Sequence, residues 1–225
     1  MVVWGSAEVK ILLFLSFTPI MRVFILSTGR SGSFSFAKAC GEISNYTAGH
    51  ESRSRRLGEV RFDYPDNHIE ADNRLAWFTG ALDRRFGNGA YYVHLLRDRR
   101  EVVESYNRRW VRYGSLIRAY CEGIHQITIH TLDRQRRLEV VGDFYDRVNE
   151  NIRLFLKDKD KVLTVHLERI REEFPRFWEA IGAEGDLEQA LGILNTSYNR
   201  SKTDPFSRFR HEVKYQLMRF RRRMF

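Results

Sequence analysis

The chain has 225 residues, is 43% apolar and 13% aromatic, and carries a formal net charge of +9 with a pI near 9.8. This suits one compact domain with a substantial core and excludes a disordered chain. The cationic surplus fits an anionic partner without choosing among nucleotides, acidic glycans, nucleic acid and anionic lipid. Residues 1–20 contain an apolar run from Ile11 to Ile20. It is shorter than the roughly 20 residues a bilayer span takes and lacks a clear small-residue cleavage site. A second apolar run starts at Val23, so Met21 is expected to open the domain, with 1–20 as an extension. The domain is expected over 21–204, followed by a basic tail at 205–225.

Arg22–Ser27 is short, β-branched and apolar, the pattern of a buried parallel strand. Ser33–Ile43 reads as a helix, Asn45–His50 as a weak strand and His68–Ala71 as a third. Asn73–Phe86 repeats apolar residues at helical spacing. Ala90–Leu96 is a continuous strand, and Asp98 with Glu101 forms a capping-box pattern for a helix from Arg99 to about Trp110. Helices are expected over 115–134 and 138–157, a strand over Lys161–His166, and helices over Glu172–Ile181 and Leu187–Leu194. Alternating strands and helices predict an α/β fold: a mostly parallel sheet of four or five strands with helices on both faces. No repeat, low-complexity segment or interdomain linker interrupts it. The two cysteines, Cys40 and Cys121, form no metal spacing or disulfide framework, which favours a reducing, cytoplasmic setting.

The segment Ser27-Thr28-Gly29-Arg30-Ser31-Gly32-Ser33 lies between a strand and a helix. Ligands of open α/β sheets bind beyond the carboxyl ends of the strands. A helix N-terminus there offers unpaired N–H groups and partial positive charge, and glycines let the backbone wrap an anion. Ser31, Ser33 and Arg30 would complete a phosphate cradle. No Lys follows Gly32, so the nucleoside-triphosphate pattern G-x-x-x-x-G-K-[ST] is absent. Farther along, Arg97 ends a strand and Ser105 follows eight residues later on the next helix, a pair able to hold one phosphate. A carboxylate partner for Arg97 and a solvated Ser105 are the alternative.

Together the two segments resemble the sulfotransferase family. Its PKSGT- or GRSGS-type loop binds a 5′-phosphosulfate, and an Arg followed by a Ser eight residues on binds the 3′-phosphate of 3′-phosphoadenosine-5′-phosphosulfate (PAPS). The matching residues are Gly29-Arg30-Ser31-Gly32-Ser33 and Arg97…Ser105, and the likeness extends over about 21–200 through Glu70–Leu75 and Val162–Glu168. It implies a three-layer P-loop-type fold, PAPS as cofactor, and contacts from Thr28, Gly29, Arg30, Ser31, Gly32, Ser33, Phe34, Arg97 and Ser105. Lys202 is a further candidate contact, in a late loop. Phe34 stands where many relatives carry a second hydroxyl, which Ser35 could replace. No metal is required by the family's chemistry.

The resemblance also implies a general base. His50-Glu51 follows the second strand and is similar to the HE pair of short bacterial relatives, with Glu51 preferred, His50 next, and Arg30 stabilising charge. An exposed carboxylate is a weak base at neutral pH, so Glu51 would need partial burial to serve. Glu70 and Asp72 are second candidates. His94 and His166 lie in apolar strands and are expected to be buried and structural. Trp77, Trp110, Tyr113 and Tyr120 are candidates for an acceptor cleft or, equally, for the core. The basic segments 53–56 and Arg108-Arg109 and the tail suit a solvated surface, and the tail suits equally an anionic membrane or packing on the domain. The expected partner is a sulfate acceptor (carbohydrate, lipid or small alcohol), with no nucleic acid. A degenerate P-loop kinase and a non-catalytic RNA- or membrane-binding adaptor are the competing functions.

Overall fold

The computed structural model describes residues 21–110 and 114–195. The extension, the basic tail, Tyr113 and Lys202 lie outside the described residues. The strands are β1 Arg22–Leu26, β2 Thr47–His50, β3 His68–Ala71, β4 Ala90–Leu96 and β5 Val162–His166. They form one five-stranded sheet in the order β2-β3-β1-β4-β5, and every pairing is parallel. The principal helices are α1 Ser33–Cys40, α2 Thr79–Phe86, α3 Arg99–Asn107, α4 Leu116–Arg118, α5 Arg134–Leu156, α6 Ile170–Ala180 and α7 Leu187–Asn195.

Alternation along the strands sends side chains to two separate cores. Phe24, Leu26, Ala90 and Tyr92 face one core, with Val102 and Tyr106 of α3 and Val141, Phe144 and Ile152 of α5. Val23, Ile25, Tyr91, Val93 and Leu95 face the other, with Phe36 of α1, Phe174 and Phe177 of α6 and Ala190 of α7. The three-layer expectation therefore holds, and because both faces are covered the central strands read as unbroken apolar runs.

Several elements differ from expectation. The stretch expected as a helix over 115–134 is α4, a π-helical turn Ala119–Ile124 and a 3₁₀ turn Ile129–Thr131. A single 23-residue α5 then starts at Asp133, whose carboxylate accepts from the Arg136 N–H at 2.8 Å. Asn73–Phe86 divides at Phe78 into a 3₁₀ turn and α2. The capping box before α3 is half formed. Asp98 accepts from the Glu101 N–H at 3.1 Å, but Glu101 pairs with Arg97, and the Asp98 N–H donates instead to Glu168 at 2.8 Å. His94 is buried and hydrogen-bonded to Asn149 at 2.9 Å, as expected of a structural histidine. His166 corrects that expectation: it sits at the end of edge strand β5, its side chain 38% exposed beside Glu173. Both cysteines are buried and free. Among the described residues, no helix is long and apolar enough to cross a membrane.

Candidate active site

The register gathers the strand ends. Ile25 pairs with Ala71, Leu26 with His94, and His50 with Ala71, so β2, β3, β1 and β4 end nearly level. Each chain segment leaving those ends therefore enters the same space. These are Glu51 after β2, Asn73 and Arg74 after β3, the Gly29–Ser33 loop after β1, and Arg97 after β4.

The loop is held by its own side chains. The Thr28 and Ser31 hydroxyls both donate to the Gly29 carbonyl, at 3.0 and 3.2 Å, and the Gly29 N–H donates to Ser27 Oγ at 3.2 Å. Thr28 and Ser31 are buried, so both hydroxyls brace the loop from behind. The Tyr106 hydroxyl donates to the Thr28 carbonyl at 2.7 Å; burial pushes this phenol well above its ordinary range, so it stays a neutral donor. Gly29, Arg30 and Gly32 all have positive φ, of 80°, 60° and 83°. A Cβ on Gly29 would lie 2.1 Å from Asn73 Nδ2, and one on Gly32 would lie 2.6 Å from Leu167 Cδ1. Glycine is thus required twice, by conformation and by close approach. Gly32 is also the N-cap of α1 and supplies no side-chain acceptor for its first turn.

The two sequence motifs meet. Arg30 Nε donates to Ser105 Oγ at 3.1 Å, and Arg97 Nη1 donates to the Arg30 carbonyl at 3.0 Å. Arg97 is fixed further by Glu101 at 3.0 Å and by the Tyr145 hydroxyl, which donates to its carbonyl at 2.8 Å. Arg97 thus has a carboxylate partner, whereas Ser105 is buried and joined to the loop rather than solvated.

In front of the loop lies a cleft of about 320 Å³. Gly29, Arg30, Gly32, Ser33, Phe34, His50 and Glu51 line it, together with Asn73, Arg74, Tyr106 and Arg109. His50 Nε2 is 3.2 Å from Ser33 Oγ, and the Phe34 ring stands edge-on to His50 at 5.4 Å. Glu51 pairs with Arg74 at 2.8 Å, each side chain about one-third exposed. Three arginines against one carboxylate make the lining cationic. Such a donor set fits a polyanionic nucleotide. Among the described residues, no cluster of His, Cys, Asp or Glu could hold a metal ion.

No protein-family model matches the chain, and no curated protein matches it. Solved structures do. The sulfotransferase domain from the curacin biosynthetic pathway aligns with a TM-score of 0.53 and 14% identity, over 79% of this chain and 77% of that one. The sulfotransferase domain from the Synechococcus PCC 7002 olefin synthase aligns with a TM-score of 0.53 and 16% identity, over 82% and 80%. The fold is that of sulfotransferase domains. At such identities the likeness extends to the fold alone, and the chemistry must be argued from this chain's own residues.

Within this sulfotransferase fold, the second-choice carboxylates are fully buried and line neither the cleft nor its surroundings. Burial raises the Glu70 carboxyl, but hydrogen bonds from His68 and Ser52 outweigh it and leave the group below its usual range. Asp72 is pushed up by burial despite its ion pair with Arg61 at 2.8 Å and the Arg74 N–H bond. Trp110 and Tyr120 belong to the core, and Trp77 stacks on Phe144; none lines the cleft. Asn73, Arg74, Tyr106 and Arg109 have no site role in the sequence motifs. Only the level strand ends and the α3 packing bring them to the loop.

Proposed function

We propose that the protein is a sulfotransferase that moves a sulfuryl group from PAPS to a hydroxyl or amine acceptor, with carbohydrates and glycolipids as the first acceptors to try. The observation that carries this reading is the joining of the Gly29–Ser33 loop to Arg97 and Ser105 through Arg30. A phosphate-binding loop alone is common; one tied to an Arg and Ser on the neighbouring strand and helix suits a nucleotide with phosphates at two positions.

PAPS, when bound, supplies a sulfuryl group activated by its phosphate leaving group. The α1 N-terminus, Arg30 and Ser33 would hold the 5′ end, while Arg97 and Ser105 would hold the 3′-phosphate. Arg30 and the loop N–H groups would face the charge that grows on the leaving oxygen. Glu51 would take the acceptor's proton, with His50 beside it as the second candidate. Arg74 would keep the Glu51 carboxylate aimed into the cleft.

Thermal-shift binding tests the donor. Adenosine-3′,5′-bisphosphate should stabilise the protein well beyond ATP with magnesium. Arg97→Ala and Ser105→Ala should each weaken that binding, by about 1.5–3 kcal/mol for the charged contact, or roughly ten- to a hundredfold. Equal shifts for the two nucleotides, or none, would overturn the reading.

A further inference from the structure

A second hollow, of about 560 Å³, adjoins the cleft. His50, Glu51, Ser52, Ser54, Arg55 and Arg56 line it. His50 and Glu51 belong to both spaces, whereas the Gly29–Phe34 loop borders only the cleft. A molecule presenting a hydroxyl at His50 and Glu51 would therefore extend naturally into the hollow, away from the loop.

We propose that this hollow is an anion subsite, which holds a carboxylate, sulfate or phosphate group carried by the acceptor. The proposal rests on the sulfotransferase reading for the word acceptor, but the anion site stands on its own geometry. The turn that builds it is anchored from beneath. Buried Glu70 accepts from both the N–H and the hydroxyl of Ser52, the former at 2.8 Å. Buried Arg61 donates to the Arg53 carbonyl at 2.8 Å and is itself fixed by buried Asp72. The Ser54 N–H donates to the Glu51 carbonyl at 3.2 Å and the Arg56 N–H to that of Arg53 at 2.9 Å. The backbone carrying Arg55 and Arg56 is thus ordered before any ligand arrives, which lowers the entropic cost of binding.

The charges around the hollow are unevenly matched. Both buried carboxylates are committed to the anchor, Glu70 to His68 and Ser52, and Asp72 to Arg61. Glu51, the one carboxylate in the lining, is paired with Arg74. Among the described residues Arg55 and Arg56 enter no ion pair, and both are exposed. Arg84 and Arg85 of α2 and Arg136 and Arg147 of α5, by contrast, are each paired with Glu or Asp. Two uncommitted guanidinium groups on a rigid turn, beside the Ser54 side chain, suit a multi-oxygen anion.

Three probes on one scaffold test this: phenyl glucoside, phenyl glucuronide and phenyl glucoside 6-sulfate, with binding measured by calorimetry. Both anionic probes should bind at least about tenfold more tightly than the neutral one, and the margin should shrink as salt rises. The Arg55→Ala/Arg56→Ala double variant should lose that margin while keeping the affinity for the neutral probe and the stabilisation by adenosine-3′,5′-bisphosphate. In transfer assays the loss should appear in KM for the charged acceptor, with kcat little changed. Equal affinities for the three probes, binding of none, or an unaltered margin in the double variant overturns the subsite. Failure of the donor reading looks different: adenosine-3′,5′-bisphosphate would not stabilise the wild-type protein, whether or not the charged probes bind.

Discussion

At the scale of single residues, the proposed base Glu51 is paired with Arg74 at 2.8 Å. Glu51 has a left-handed backbone, with φ of 52°, and its N–H is tied to the Ala71 carbonyl at 3.1 Å. Side chains held in such conformations concentrate at functional sites because the surroundings must pay for the strain. Glu51→Gln keeps the size and the hydrogen-bonding reach toward Arg74 but removes the ability to take a proton. Turnover with labelled PAPS should fall by about 10²–10⁴-fold, with stabilisation by adenosine-3′,5′-bisphosphate unchanged. Undiminished turnover would remove Glu51 as the base and leave His50, 3.2 Å from Ser33, as the group to replace next. Arg30, Arg97, Ser105 and the His50–Glu51 pair stood out in the sequence because they match motifs of the family it resembles, in segments that follow strands. Arg74 also follows a strand end, in the stretch Glu70–Leu75, but nothing local marks it as the partner of Glu51. Arg109 lies beyond α3 and reaches the cleft only through helix packing, which no local pattern records.

At the scale of elements, the β1–loop–α1 unit depends on glycine in a way that can be measured. Gly32→Ala would put a methyl group 2.6 Å from Leu167 Cδ1 on a residue with φ of 83°. It should destabilise the fold by about 1–3 kcal/mol and displace the start of α1, so that binding of adenosine-3′,5′-bisphosphate falls by more than the stability loss explains. Gly80, in the first turn of α2, is the control: a methyl group there meets nothing within 4 Å. Gly80→Ala should stabilise by about 0.5–1 kcal/mol and leave binding alone. Urea unfolding of both variants decides the matter, and equal effects would dissociate the loop's shape from its glycines. β1 and β4 were legible because both faces are buried, which makes them continuous apolar runs, whereas edge strand β2 is exposed and reads weakly. The span 115–134 was not. Its apolar spacing suggests a helix, but Ile124, Ile127, Thr128, Ile129 and Thr131 crowd it with β-branched side chains, and Asp133 starts a new helix by capping it.

At the scale of the whole molecule, one buried group links stability to pH. His94 lies in β4 on the face packed by α5, where Asn149 is its hydrogen-bond partner at 2.9 Å. Burial is the main cause that lowers its imidazole from 6.5 to about 4; the Asn149 hydrogen bond opposes this, and the charges of Arg153 and His166 add to it. The folded chain thus holds a neutral ring, whereas the unfolded chain titrates normally. As pH falls below about 6.5 the unfolded state takes up a proton that the folded state refuses until about 4, so stability declines through that window and levels off beneath it. A shift of this size corresponds to about 3 kcal/mol in full, of which about 2 kcal/mol should be lost between pH 7 and 5. Glu70 acts in a lower range: its carboxyl is held below the usual value, so its contribution is present above about 4.5 and lost below that. Asp72, raised by burial, has the opposite sign: its contribution is unfavourable at higher pH and is relieved as pH falls toward 3.8. Comparing the wild type with a variant that lacks the imidazole isolates the share of His94 between pH 7 and 5. His94→Gln retains an amide donor for Asn149 and cannot titrate. It should cost some stability at pH 7 yet flatten the decline toward pH 5 in urea-unfolding free energies. An unchanged slope in that variant would mean that the acid sensitivity of the sheet arises elsewhere.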